Sequence, residues 1–336
     1  LEKLHVYNEK EFRKENSGKS FVKNLAFCKN HLYGLVMKSL IDFSAGRSVD
    51  AKIHSLISES KVLFRKTLYR RYFRTIEKAK QLALKYERFG YVMQIMEMEK
   101  IIVRKEEQDE EKINSLHEEF SQISGSMKNT FEYSRIGGLL LHRYRRYGLT
   151  RDESQKRTID ELLEHPLMSA PQKAQSSKAL DGFYRVNELA SSARADHEKT
   201  YEALLQRLKV VNSNPLPFED QIINYQSEIL TALLEISLRL NRPSEAAGYL
   251  EEIQKMAEVS KDPSDDFEIY SDFVYFRIYL SSGEVKKAGR LVHRLEYILK
   301  KYENKMLIDT ELSIMFYIVK CRMMEGKFLA ALKSAN

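Results

Sequence analysis

Apolar residues recur along most of the chain at steps of three and four. One stripe runs through Leu56, Val62, Leu63, Leu68, Tyr69, Tyr72, Phe73, Ile76, Ala79 and Leu82, the period of a helix that buries one face. The breaks between stripes are short and carry stop signals: Ala45-Gly46-Arg47-Ser48, Gly148, Pro166 to Pro171, Asn212 to Pro217, Pro243 and Asp262-Pro263. Ser17, Ser48 and Ser264 stand where a hydroxyl can cap a new helix, and Asp265 and Asp266 complement its dipole. The pattern predicts an opening helix over 19–45 and then pairs: 49–66 with 68–87, 89–104 with 109–125, 127–147 with 151–164, and 170–191 with 193–211. The remaining pairs are 219–240 with 243–259, 265–282 with 284–303, and 306–325 with a helix starting at 327.

Connectors of a few residues lay consecutive helices antiparallel beside one another. Such hairpins bury their apolar stripes by stacking each pair on the next, so the expected fold is all-α, an α-solenoid of antiparallel helix hairpins. The expected organisation is an N-terminal helical segment over 1–48, helical hairpins over 49–211, and more regular repeats over 212–336.

Three segments repeat one another. Asn241, Gly283 and Gly326 each end a stripe with a residue suited to positive φ. Two residues later come Pro243, Val285 and Phe328, and five residues later Ala246, Ala288 and Ala331. An alanine there lets the second helix approach the first. In these offsets the chain resembles the tetratricopeptide-repeat (TPR) superfamily, although its alanines lie 42 and 43 residues apart, against 34 in the family. The family's consensus Trp is missing. A further copy is expected at Thr67, Tyr69, Tyr72, Ile76 and Ala79, with Tyr72 in place of the small residue. The resemblance covers 220–336 best and 50–90 less well, and the length and drift of the helices resemble bacterial helical-repeat proteins.

The resemblance implies a fold and a scaffolding role, with a protein or peptide held on the concave face by the first helix of each pair. The family's inward positions fall on Glu228, Thr231, Glu235 and Arg239, then on Tyr270, Phe273 and Arg277, then on Ser313, Phe316 and Lys320. Cations beside aromatic rings could clamp a carboxylate while an apolar side chain packs on Phe273 or Phe316.

Composition and motifs narrow the chemistry. Gly and Pro are scarce, 13 and 6 in 336 residues, which disfavours β-sandwiches and disordered chains. The best apolar run, Leu312–Val319, is too short to span a bilayer. Cys28 and Cys321 are the only cysteines and lack CxxC spacing, so a disulfide framework or zinc ribbon is not expected. Two reduced thiols are compatible with the cytoplasm, the location expected here. Ser17-Gly18-Lys19-Ser20 ends like a phosphate loop, but Arg13 stands where the motif needs Gly. His117-Glu118-Glu119 starts like a zincin helix, but Ser121 replaces the second His. Ser58 and Lys61 match S-x-x-K, but the accompanying S-D-N and K-T-G motifs are absent. No enzyme, metal or cofactor is therefore expected.

Charge is segregated. Residues 61–90 hold ten Lys/Arg against two Asp/Glu, whereas 91–120 hold four against nine. Residues 219–284 hold five against fourteen, and 285–336 eleven against five. Such blocks suit ion pairing between helices or steering of a charged partner. Two places are candidate anion sites. Arg70, Arg74 and Lys78 share one helix face, and Arg143, Arg145 and Arg146 surround a helix end beside Tyr144 and Tyr147. Gly137-Gly138 upstream is expected at a close helix crossing or a kink. Nucleic-acid or other polyanion binding through these basic faces is the alternative to a peptide scaffold.

Overall fold

The computed structural model describes residues 9–44, 48–106, 110–150, 152–260, 265–301 and 308–335. The fold is all-α, and no strand occurs among the described residues. Its helices are α1 (Glu9–Glu15), α2 (Leu25–Ser44), α3 (Val49–Arg65), α4 (Tyr69–Lys85), α5 (Phe89–Glu106), α6 (Glu110–Tyr147), α7 (Glu153–Leu163) and α8 (Ser177–Ala193). They continue as α9 (His197–Ser213), α10 (Ile222–Arg239), α11 (Pro243–Ser260), α12 (Asp265–Ser281), α13 (Val285–Lys301), α14 (Ile308–Met324) and α15 (Phe328–Ala335). The chain forms two compact units, Leu1–Ala83 and Leu84–Asn336.

Most boundaries follow the sequence pattern, but the helix expected from 170 begins only at Ser177, after 3-10 turns at Pro166–Ser169 and Pro171–Lys173, and two further corrections stand. The stretches expected as 109–125 and 127–147 are one continuous helix of 38 residues, α6. Gly125 does not stop it, because the helix keeps burying side chains along α8: Tyr133, Ile136 and Leu140 are almost fully buried. The expected pairing of 127–147 with 151–164 gives way to packing of α6 on α8. Gly137 sits at that crossing, where a Cβ would lie 3.7 Å from Val186 Cγ2. The second correction concerns Ser17, which lies in a turn after α1. Lys19 takes the cap position of the short 3-10 turn Ser20–Asn24, without a side-chain bond. Ser48 does cap α3, accepting from the Ala51 amide at 3.1 Å. Ser264, Asp262-Pro263 and residues 45–47 lie outside the described residues.

Six tight turns share one construction. Thr67, Glu87, Ala195, Asn241, Gly283 and Gly326 all have φ between 51° and 75°. The next helix begins two residues after each, at Tyr69, Phe89, His197, Pro243, Val285 and Phe328. The residue five places on is buried in every case: Tyr72, Val92, Thr200, Ala246, Ala288 and Ala331. The backbone closes these turns by Schellman-type bonds, for example Arg242 N to Ser237 O, Glu284 N to Tyr279 O and Lys327 N to Arg322 O, each 2.8 Å. The left-handed residue reverses the chain, and the buried residue one turn into the new helix docks it on the old one. Ala195 adopts this conformation at a steric cost that glycine does not carry. Ala195→Gly is therefore expected to stabilise the protein by about 0.5–1 kcal/mol, read as a higher urea midpoint at unchanged m-value.

In the second unit each hairpin stacks on the next. α8 packs on α9, α9 on α10, α10 on α11, and the chain continues in this order to α15. The first helices of successive pairs also touch, α10 with α12 and α12 with α14. One core joins α9 to α12 through Leu204, Leu230, Leu233, Leu234, Leu250 and Val274. A second joins α12 to α14 through Phe276, Leu280, Leu295, Ile314, Ile318 and Cys321. The α4–α5 turn is tied to a distant helix start: the Glu87 carboxylate accepts from the amides of Ser177 (2.7 Å) and Lys178 (3.1 Å) at the N-terminus of α8. A carboxylate there complements both the orphan amides and the helix dipole.

Candidate functional site

The first helices α10, α12 and α14 place equivalent residues side by side, because the repeat length of 42 or 43 residues brings the same face forward each time. Glu235 and Arg277 are 42 residues apart and form an ion pair, Nη1 to Oε1 at 2.5 Å. Arg277 is 9% exposed. Its guanidinium lies over two rings, 5.6 Å from the centre of Phe273 and 5.1 Å from that of Tyr317, and these rings meet edge to face at 5.7 Å. Burial works against the charge of Arg277, but the hydrogen bond and field of Glu235, with Tyr317, hold its pKa above the ordinary guanidinium value.

The other expected partner residues fall around this pair. Lys320 is exposed, with Nζ 5.7 Å from the Tyr317 ring. Phe316 is 65% exposed and meets Tyr317 edge to face. Arg239 is exposed in the last turn of α10. Tyr270 lies on α12, with its side chain outside the described residues. The structure thus brings Glu235, Phe273, Arg277 and Lys320 together, all touching one another or Tyr317. Tyr317 itself is absent from the sequence reading. Its signal was available: it stands three residues before Lys320, on the side of α14 that faces α12.

No family model matches the chain, and no curated protein does. Among solved structures the chain is similar to BtubC (BKLC) from P. vanneervenii, at 16% identity and a TM-score of 0.36, covering 85% of this chain and 88% of that one.

A second polar cluster lies deeper and has no counterpart in the sequence reading. Arg207 on α9 is 1% exposed. Its Nε donates to Asp181 at 2.9 Å and its Nη1 to Glu188 at 2.7 Å, both carboxylates belonging to α8. Burial pushes the Glu188 carboxyl above its ordinary range, more than Arg207 pulls it down. Next to this cluster Arg185 reaches Glu228 at 3.3 Å, linking α8 to α10. Charge in this region therefore holds helices together across successive pairs.

The candidate anion sites are all at the surface. Arg70, Arg74 and Lys78 lie exposed on α4, opposite its buried Ile76, Ala79 and Ala83. Arg143, Arg145 and Arg146 are exposed in the last two turns of α6. Arg146 covers the Tyr147 ring at 5.5 Å, and Arg143 borders a small cavity with Tyr144, Tyr147 and Gln155. Among the described residues no group of three His, Cys, Asp or Glu side chains could hold a metal ion. No helix among them is long and apolar enough to cross a membrane.

Proposed function

We propose that the chain is a non-enzymatic helical-repeat scaffold that holds a peptide segment of a protein partner along the first helices α10, α12 and α14. The observation that carries this reading is the rung Glu235–Arg277–Tyr317–Lys320. Its inner half is a buried, paired strut, and its outer half leaves Lys320 and Phe316 in solvent. The strut fixes the spacing of the helices. Lys320 then offers a cation to a carboxylate, and Phe316 a ring face to an apolar side chain. Arg239 extends the cationic edge onto α10.

The reading is tested by selecting a displayed random-peptide library on the full chain. Enriched peptides should pair a carboxylate with an apolar residue. Lys320→Glu combined with Phe316→Ala should weaken them at least tenfold while leaving the circular-dichroism spectrum unchanged. Peptides that bind the double variant as well as the original chain would overturn the assignment.

A further inference from the structure

The two units differ in charge. Residues 1–83 hold 18 Lys/Arg against 8 Asp/Glu, a net +10, so a chain of +7 leaves −3 for residues 84–336. The excess gathers where α3 turns into α4. Arg65, Lys66, Arg70, Arg71, Arg74 and Lys78 are all exposed, and among the described residues none pairs with a carboxylate. The one acidic residue of α4, Glu77, accepts from Gln81 at 2.7 Å.

This arrangement is locally unfavourable. The first turn of α4 contains no acidic residue, and Arg70 and Arg71 place cations at the end of the dipole that repels them. Arg70 with Arg74, and Arg74 with Lys78, are like charges one turn apart. An external anion relieves each of these costs. Cations repeated about every 6 Å along a helix suit a polymer of regularly spaced negative charges better than a single acidic side chain. Two rings accompany them: Tyr69 is 37% and Phe73 41% exposed. The rest of the apolar side of α4, Tyr72, Ile76, Ala79 and Ala83, is buried, and the apolar residues left exposed at the corner are Val62, Leu68 and the two rings; a lipid surface is therefore an arm of the test below.

We propose that the α3–α4 corner binds single-stranded nucleic acid, with Arg65, Arg70, Arg74 and Lys78 neutralising phosphates and Phe73 stacking on a base. Guanidinium groups track the backbone, and an exposed ring accepts any base face, so the surface reads charge and unpaired bases rather than sequence.

The test is fluorescence anisotropy of the full chain with a labelled mixed-sequence single-stranded 20-mer and its duplex, at 50 and 200 mM salt. The single strand should bind at 50 mM and weaken markedly at 200 mM. Arg70→Gln with Arg74→Gln removes two phosphate contacts, and should reduce the slope of log K against log salt by about 1.4. Phe73→Ala should weaken the single strand roughly tenfold and the duplex little. Lys320→Glu, in the other unit, should change nothing, which separates this proposal from the peptide-binding reading. The proposal is overturned by absence of single-strand binding at 50 mM, by an unchanged affinity and slope in the arginine variant, or by an unchanged affinity in Phe73→Ala. Tighter binding of polyglutamate or of anionic vesicles than of the 20-mer would overturn it as well.

Discussion

Arg207→Ala is expected to cost the unit Leu84–Asn336 about 3–5 kcal/mol, the typical penalty for removing one partner of a buried ion pair. Arg207 is one of the largest fully buried side chains among the described residues, and it is held by Asp181 and Glu188. The alanine variant leaves two carboxylates on α8 without their counter-charge, together with a cavity at the α8–α9 contact. Arg207→Lys keeps the charge but loses the forked geometry that reaches both acids, and should fall between the two. Urea unfolding followed by circular dichroism reads the loss, and hydrogen exchange should place it in α8 and α9.

The same variant carries a pH signature. Glu188 already sits above the ordinary carboxyl range through burial, and the Arg207 charge opposes that rise. Its folded pKa is raised, so the folded state holds this proton more tightly than the unfolded chain does. The group therefore favours folding at low pH, and that contribution is lost as pH rises from the unfolded value through the folded one. Arg207→Ala should move the Glu188 carboxyl resonance to titrate at still higher pH. A titration that stays in place would show that the guanidinium does not act on this carboxylate.

Tyr72→Ala is the second large effect, at about 3–5 kcal/mol for a fully buried aromatic side chain. Tyr72 is 1% exposed and sits against Phe64 of α3, with ring centres 5.5 Å apart. It fills the position that alanine fills in the last three hairpins, so the α3–α4 turn is built around a ring. Truncation leaves that space empty. Hydrogen exchange of the full chain should show α3 and α4 losing protection, while α10 to α14 keep theirs. Uniform protection in α3 and α4 would mean that the ring does not hold this hairpin.

The offsets that made the repeat legible were local. Asn241, Gly283 and Gly326 announce a left-handed turn because they tolerate it, and the alanine five residues on follows from close packing. Thr67 was reached through the same offsets. Glu87 and Ala195 make the same turn without such a residue; Glu87 gains two amide donors at the start of α8, whereas Ala195 carries the steric cost. The helix breaks near 88 and 192 follow from the pattern, but neither Glu87 nor Ala195 announces the left-handed conformation by its residue type.

Arg207 was hidden for a related reason. It sits between Leu204 and Leu208 on the apolar face of α9, but the acids that pair with it lie 26 and 19 residues earlier on another helix. Arg277 was legible as a face residue, but not as a paired one, since only the stacking of α10 on α12 brings Glu235 to it. The continuity of α6 across the expected boundary at 125–127 is not local, because it is supported by the contact of α6 with α8.

Successive hairpins set equivalent residues of α10 and α12 against each other, Glu235 against Arg277. A double-mutant cycle with Glu235→Gln, Arg277→Met and both together measures that contact. Stacked hairpins predict a coupling of about 1 kcal/mol or more between two residues 42 positions apart. Additive effects of the two substitutions would contradict the stacking itself.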